Sequence, residues 1–182
     1  MQSLSDEGLV QVLQQGKDGR KQEAFDCLYH RYAQKLGQYF YYSLNYDLEK
    51  ARDFVHDLFV RLLEKPQLFN AQYEFKPWLY RVALNMCRNE YRRQDVENRY
   101  NQYSSINTEK YTEIDEYKDI LVQGIRKLNS EQRALIALRF KIKLSVKEIA
   151  EVLDCPEGTV KSRLFYTLKE LSKHYKSEEN GE

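Results

Sequence analysis

Between Trp78 and Arg93 the sequence reads WLYRVALNMCRNEYRR. Arg81, Asn85, Arg88, Asn89 and Arg92 recur at i, i+4, i+7, i+8 and i+11, the spacing of one helix face. Leu79, Val82, Ala83 and Met86 fall on the opposite face, and Trp78 and Tyr80 stand at the N-terminal end. Guanidinium groups neutralise phosphates, side-chain amides pair with base edges, and aromatic rings stack on unpaired bases. Those are the parts needed to hold a melted DNA strand. The same spacing also describes a solvated basic face over a core tryptophan, and spacing alone does not separate the two.

Two further groups carry possible chemistry. Asp53, His56 and Asp57 lie at i, i+3 and i+4, opposite an apolar stripe. An exposed acidic face suits a protein partner. One His and two Asp on such a face are the pattern of a solvated helix more than of a metal centre. Near the C-terminus, Thr159, Lys161, Ser162, Arg163 and Tyr166 share the wet side of a final helix. A helix of that composition, entered through a short turn from another helix, suits the major groove of duplex DNA. The plainer reading is a structural helical hairpin.

Other chemistry lacks its parts. His30, His56 and His174 are scattered, and neither an assembled nucleophile nor a glycine-rich phosphate loop is present. Cys27, Cys87 and Cys155 are odd in number and far apart, which speaks against a zinc site or a disulfide framework. The expectation is a protein that is not an enzyme and uses neither cofactor nor metal. No apolar run approaches the roughly 18 residues of a membrane span, so membrane insertion is not expected. The acidic N-terminal stretch lacks a secretion signal, which points to the cytoplasm.

These groups require helices to position them. The chain has 182 residues, 42% hydrophobic and 31% charged, with 7 Gly and 3 Pro, a profile of helical domains. Ala51, Phe54, Val55, Leu58, Phe59, Leu62 and Leu63 form one continuous stripe, which Pro66 ends. Upstream, 24–44 predicts a long helix with Phe25, Leu28, Tyr29, Tyr32, Leu36 and Tyr39 or Phe40 inward; downstream, 76–93 predicts another, with Pro77 near its start. A short helix is expected over 120–128. Asn129 with Gln132, and Ser145 with Glu148, have capping-box spacing for the two helices after it. Asp154-Cys155 predicts a tight turn, and Pro156 opens a last helix with Val160, Leu164, Leu168 and Leu171 inward. The expected fold is all-α: two small helical domains, 1–95 and 118–182, joined by a polar linker over 96–117, with a helix-turn-helix in the second.

The net charge of +1 conceals an uneven distribution. Lys and Arg outnumber Asp and Glu about two to one over both 76–99 and 118–176, and the ratio reverses between them. Two basic blocks flank an acidic stretch, so DNA contact is compatible with a nearly neutral total.

At this point both halves resemble one family, the bacterial RNA polymerase sigma factors of the extracytoplasmic-function (ECF) class. The stretch ARDFVHDLFVRLLE (51–64) resembles the family's A-x-D-x-x-Q-E-x-F helix. FKPWLYRVALNMCRNEYRR (75–93) resembles F-x-x-W-L-Y-R-I-A-x-N-x-x-x-D-x-x-R-R. KEIAEVLDCPEGTVKSRLFYTLKEL (147–171) resembles E-I-A-x-x-L-x-x-x-x-G-T-V-K-S-R-L. The resemblance implies that this chain lends promoter recognition to core RNA polymerase. Asp53, His56 and Asp57 would dock on the clamp helices of the largest subunit, and the second domain on the flap of the second subunit. Trp78, Tyr80, Arg81, Asn85, Arg88 and Arg92 would hold the melted minus-ten element, with 67–74 as the loop that captures a flipped base. Thr159, Lys161, Ser162, Arg163 and Tyr166 would read the minus-thirty-five element as duplex. An anti-sigma partner that masks the docking surface is implied by the same resemblance.

Three departures stand out. His56 replaces the usual Gln, Asn129 the usual Pro, and Phe165-Tyr166-Thr167 the usual x-R-A step. The rival reading is a stand-alone helix-turn-helix regulator whose first half is a sensor or dimerisation module.

Overall fold

The computed structural model describes residues 1, 3–101 and 116–179. Among them are eight α-helices and no strand: α1 (Asp6–Gln15), α2 (Asp18–Ser43), α3 (Leu48–Glu64), α4 (Phe75–Asn101), α5 (Glu116–Lys127), α6 (Ser130–Ile136), α7 (Val146–Leu153) and α8 (Glu157–Glu179). A short 3₁₀ turn, Pro66–Leu68, follows α3, and a five-residue π-helical turn, Ala137–Lys141, follows α6. The all-α expectation holds.

Local chemistry explains most boundaries. The Ser5 hydroxyl accepts from Gly8 N–H (3.1 Å) and the Asp47 carboxylate from Lys50 N–H (2.9 Å), capping α1 and α3. Asn45 and Tyr46 take left-handed φ values of 58° and 67° at the corner between α2 and α3. Both expected capping boxes form. Asn129 and Gln132 exchange bonds of 2.9 Å at the start of α6, and Ser145 and Glu148 bonds of 2.7 and 3.2 Å at the start of α7. Asp154, at φ 52°, ends α7 in the left-handed conformation that Asp tolerates. The Pro156 carbonyl then accepts from Thr159 and Val160 to open α8.

The first half packs α2, α3 and α4 about one another. Leu28, Leu36, Tyr39 and Phe40 of α2 meet Leu58, Phe59 and Leu62 of α3 and Leu79, Tyr80 and Ala83 of α4, all buried. Several sequence expectations need correction. Helix α1 carries no prediction, and α2 begins six residues before the expected start, at Asp18. Tyr29 and Leu63 are 43% and 47% exposed, at the edge of their stripes. On α8, Leu168 is 43% exposed and Thr167 takes the inward position. Thr167 lies at i+7 from Val160 and completes the face, whereas i+8 is rotated off it. Helix α4 runs through Asn101, so the first residues of the expected linker continue the helix; 102–115 lie outside the described residues.

Helix α1 places the elements around the basic helix. The Glu7 carboxylate accepts from the backbone N–H of Phe75 (2.9 Å) at the start of α4. Gln14 Nε2 donates to the carbonyls of Pro66 (2.9 Å) and Phe69 (3.0 Å), pinning the connection between α3 and α4. Asp6 in turn accepts from Arg31 (2.6 Å) and from the Tyr32 hydroxyl, whose pKa burial, chiefly, pushes far up. An N-terminal carboxylate cap is worth about 1 kcal/mol. Glu7→Ala is therefore expected to lower unfolding stability by about that amount, measured by urea titration; no change would remove α1 as the support of α4.

Candidate nucleic-acid interface

Helix α4 is two-faced. Leu79, Ala83, Met86 and Cys87 are buried on one side, while Arg81, Asn85, Asn89 and Arg92 are exposed on the other. The buried side is tied down by Glu90, whose side chain is only 7% exposed and takes Lys50 Nζ of α3 at 2.7 Å. Burial pushes the Glu90 carboxyl up, but Lys50, Gln94 and Arg93 outweigh it and hold the pKa below the ordinary range. Tyr91 adds a second tie: its hydroxyl donates to the Ser43 carbonyl of α2 and accepts from Arg133 Nη2 of α6 (2.9 Å).

The two aromatic residues expected at the tip of α4 part company. Trp78 is half-buried against Phe69 and Phe75, with ring centroids 5.2 and 5.7 Å away. It lines a cleft of about 750 Å³ together with Leu68, Tyr73 and Arg81. Tyr80 does not share that surface. It is fully buried, edge-on to Tyr39 at 5.7 Å, so its ring cannot stack on a base without leaving the core. Helical geometry explains the split: Tyr80 sits one residue from Leu79 and three from Ala83, on the buried side.

The acidic trio on α3 is fully presented. Asp53, His56 and Asp57 are exposed opposite Val55, Leu58, Phe59 and Leu62. On α8, Lys161, Ser162, Arg163 and Tyr166 are exposed and Thr159 is half-buried, while Val160 and Leu164 anchor the helix inward. Phe165, 62% exposed, stands beside Tyr166, with centroids 5.4 Å apart.

The sequence gives no hint that the two basic faces meet. Arg88 of α4 and Thr159, Ser162, Arg163 and Tyr166 of α8 line one cleft of about 800 Å³. Glu131, at the start of α6, stands between them. Arg88 grips its carboxylate with both arms of the guanidinium, Nε at 2.7 Å and Nη2 at 2.8 Å. Nearby, Lys76 Nζ lies 2.7 Å from Glu148, and Arg81 donates through Nε (3.1 Å) and Nη2 to the Glu151 carbonyl. Asp154 stands 3.8 Å from the same Arg81 Nη2. Long-range pairs of this kind leave no period in the sequence; the capping box that marks Glu148 was the only signal available.

Comparison with known proteins assigns both halves. Residues 28–97 match the family model for Sigma-70 region 2, and 124–173 match that for Sigma-70, region 4. The chain is 30% identical over 179 residues to an ECF RNA polymerase sigma-E factor of Escherichia coli, covering 90% of this chain and 91% of that protein. It is 29% identical over 180 residues to the ECF RNA polymerase sigma-E factor of Haemophilus influenzae, with 90% and 92% covered. Among solved structures it resembles CnrH in complex with the cytosolic domain of CnrY (TM-score 0.68, 23% identity, 94% of this chain and 97% of that one). It also resembles the sigma factor RpoE from Bartonella quintana, solved with the anti-sigma factor NepR (TM-score 0.66, 22% identity, 88% and 98% covered). At those identities the structures speak for the fold.

The Tyr80 placement has a direct consequence. Its hydroxyl is buried with no hydrogen-bond partner among the described residues. Tyr80→Phe should hold or raise stability, by up to about 1 kcal/mol, because an unpaired polar group is removed. Tyr80→Ala should cost about 3–5 kcal/mol by opening a cavity. Thermal melts of the two variants decide it; a Tyr80→Phe variant clearly less stable than wild type would mean the hydroxyl is engaged.

Proposed function

The chain belongs to the sigma-70 family, in its ECF class, and we propose that it divides the family's work among three surfaces of its own. Like the family, it directs core RNA polymerase to promoters and supports initiation of transcription there. It supplies recognition and carries out no bond chemistry of its own, working in the cytoplasm beside the polymerase. No helix among the described residues is long and apolar enough to cross a membrane.

The observation that carries the assignment is the pairing of two distinct cationic helix faces, on α4 and α8, each backed by a buried apolar face. The domain of 1–95 docks through Asp53, His56 and Asp57 on the clamp helices of the largest polymerase subunit. Arg81, Asn85, Arg88 and Arg92 then hold the phosphates and base edges of the melted minus-ten strand. Trp78, with Leu68 and Tyr73 on its cleft, supplies the apolar wall for an unstacked base. A flipped base costs a few kcal/mol of stacking, and an aromatic contact returns about 1–3 kcal/mol per base. Tyr80 serves from beneath, as the ring that seats α4 on α2.

The domain of 118–182, docked on the flap of the second subunit, presents α8 to the minus-thirty-five duplex through Thr159, Lys161, Ser162, Arg163 and Tyr166. Tyr166 and the neighbouring Phe165 offer rings where the family pattern has an arginine. They suit contact with thymine methyl groups more than hydrogen bonding to guanine. The chain between α4 and α5 joins the two heads. CnrH was solved with the cytosolic domain of CnrY, and Bartonella RpoE with the anti-sigma factor NepR. An anti-sigma factor covering the exposed docking trio would regulate this chain. The rival reading, a regulator with a sensor half, has no use for a first half that matches Sigma-70 region 2.

The docking surface is tested by Asp53→Arg with Asp57→Arg. Both residues are exposed, so the double variant should keep its helicity and melting temperature yet lose co-purification with core polymerase; retained association would displace the docking site. For the upstream head, Arg163→Ala should weaken binding to a promoter duplex by about 1–3 kcal/mol, concentrated at one base position. A uniform loss across all sequences would reduce Arg163 to a phosphate contact.

A further inference from the structure

The turn that leads into α7 carries charge that neither reading face includes. From Arg139 to Lys147 the chain reads RFKIKLSVK, four cations and no acid. Two of the four are engaged: Arg139 donates to the Leu144 carbonyl (2.9 Å), and Lys141 lies 4.4 Å from the ring centre of Tyr42. Lys143 and Lys147 are both exposed. Among the described residues Lys143 has no ion pair, and Lys147 reaches only Glu151, at 4.0 Å.

Lys143 also stands in an unfavourable backbone conformation. Its φ is 60°, in the left-handed region where a β-carbon crowds the following carbonyl oxygen and glycine does not. The neighbours impose it. Ile142 and Leu144 are buried on either side. The Ile142 N–H donates to the Ala137 carbonyl and the Leu144 N–H to the Leu138 carbonyl, both at 3.0 Å. The turn is fixed whatever residue fills its apex, and glycine would fill it at lower energy. A lysine there adds nothing to the core, and its ammonium faces solvent. Strain held in this way marks a side chain with a task outside the fold.

We propose that Lys143 and Lys147 form a phosphate clamp that seats the second half on the DNA backbone beside the minus-thirty-five element. The inference rests on the reading of α8 as the helix that faces the duplex. In a helix-turn-helix the second helix enters the major groove while the first crosses the backbone. The two lysines stand just before and just inside that first helix, α7. The helix start itself has little to offer a phosphate: the Ser145 N–H is taken by Glu148, and the Glu148 N–H by Ser145. Side-chain cations must supply the contact. A lysine ammonium suits it, being a point charge on a flexible stem. The contact carries no sequence information; it adds affinity and fixes the orientation in which Thr159, Ser162 and Arg163 meet the base edges.

The test measures binding of holoenzyme, assembled from core polymerase and the full-length chain, to a promoter duplex across a range of salt. The temperature is kept low enough that the strands stay closed. Each lysine that neutralises a phosphate steepens the fall of log K with log salt by about one. Lys143→Gln with Lys147→Gln should flatten the slope by about two, and weaken binding equally on every base-substituted version of the duplex. Lys17→Gln with Arg20→Gln removes two exposed cations at the start of α2 and should leave the slope unchanged.

Lys143→Gly supplies a two-sided check. It should raise the melting temperature of the chain by about 2 °C, as the left-handed strain is released. It should also flatten the salt slope by about one, which a lysine with a purely structural role would not do. An unchanged slope, equal flattening by the α2 control, or a lower melting temperature in Lys143→Gly overturns the clamp. So does loss of co-purification with core polymerase in the double lysine variant, which would make the patch a contact with an acidic surface of the polymerase. Failure of the reading of α8 shows differently: Arg163→Ala would lose nothing at any base position, whatever the lysine variants do.

Discussion

The burial of one side of α4 constrains everything else in the molecule. Leu79, Tyr80, Ala83 and Cys87 are pressed into the α2–α3 core, and Glu90 locks the same side to Lys50 of α3. A helix held that firmly has one free side, and its direction is fixed. The guanidinium groups of Arg81, Arg88 and Arg92 stand in register on it, about two turns and then about one turn apart. Mobility in α4 would spend binding energy on ordering the helix; the packed underside removes that cost for any ligand of its free side. Helix α1 contributes to the same end, through Glu7 at the start of α4 and Gln14 on the turn before it.

The electrostatics follow from the rigidity. A row of fixed cations in one small protein is attractive to any anion within reach, including the chain's own. Glu131 and Glu148 sit in the first turns of α6 and α7, where the helix dipole already favours a carboxylate. The acids are thus where helix formation wants them, and the same positions meet Lys76 and Arg88. Exposed pairs of this sort are individually weak. Several acting together, with three cation–ring contacts at the other edge, add to the packing between the two halves.

Much of this was legible in the sequence, for identifiable reasons. The stripe on α3, the two capping boxes and the turn at Asp154 are local and periodic, and they appear as expected but for Leu63, which is exposed at the edge of the stripe. The cationic face of α4 and the wet face of α8 follow from the 3.6-residue repeat. What stayed hidden was tertiary. Tyr80 is an aromatic beside a tryptophan, and composition cannot say which of two neighbouring rings goes under. Thr167 in place of Leu168 shows rotation about the helix axis prevailing over hydropathy. Helix α1 is short, and besides the buried Leu9, Val10 and Leu13 it acts through the polar reach of Asp6, Glu7 and Gln14. The meeting of the two cationic faces depends on pairs more than forty residues apart, such as Arg88 with Glu131, and no local rule anticipates them.

One property of Glu148 bears on how the two halves depend on each other. Its carboxylate has two employments: one oxygen takes the Ser145 N–H and begins α7, and the other takes Lys76. Only the second is surrendered when an outside anion captures the lysine. The helix keeps its own start, so α7 does not depend on the first half for its cap. Its first turn is thus secured within the second half alone.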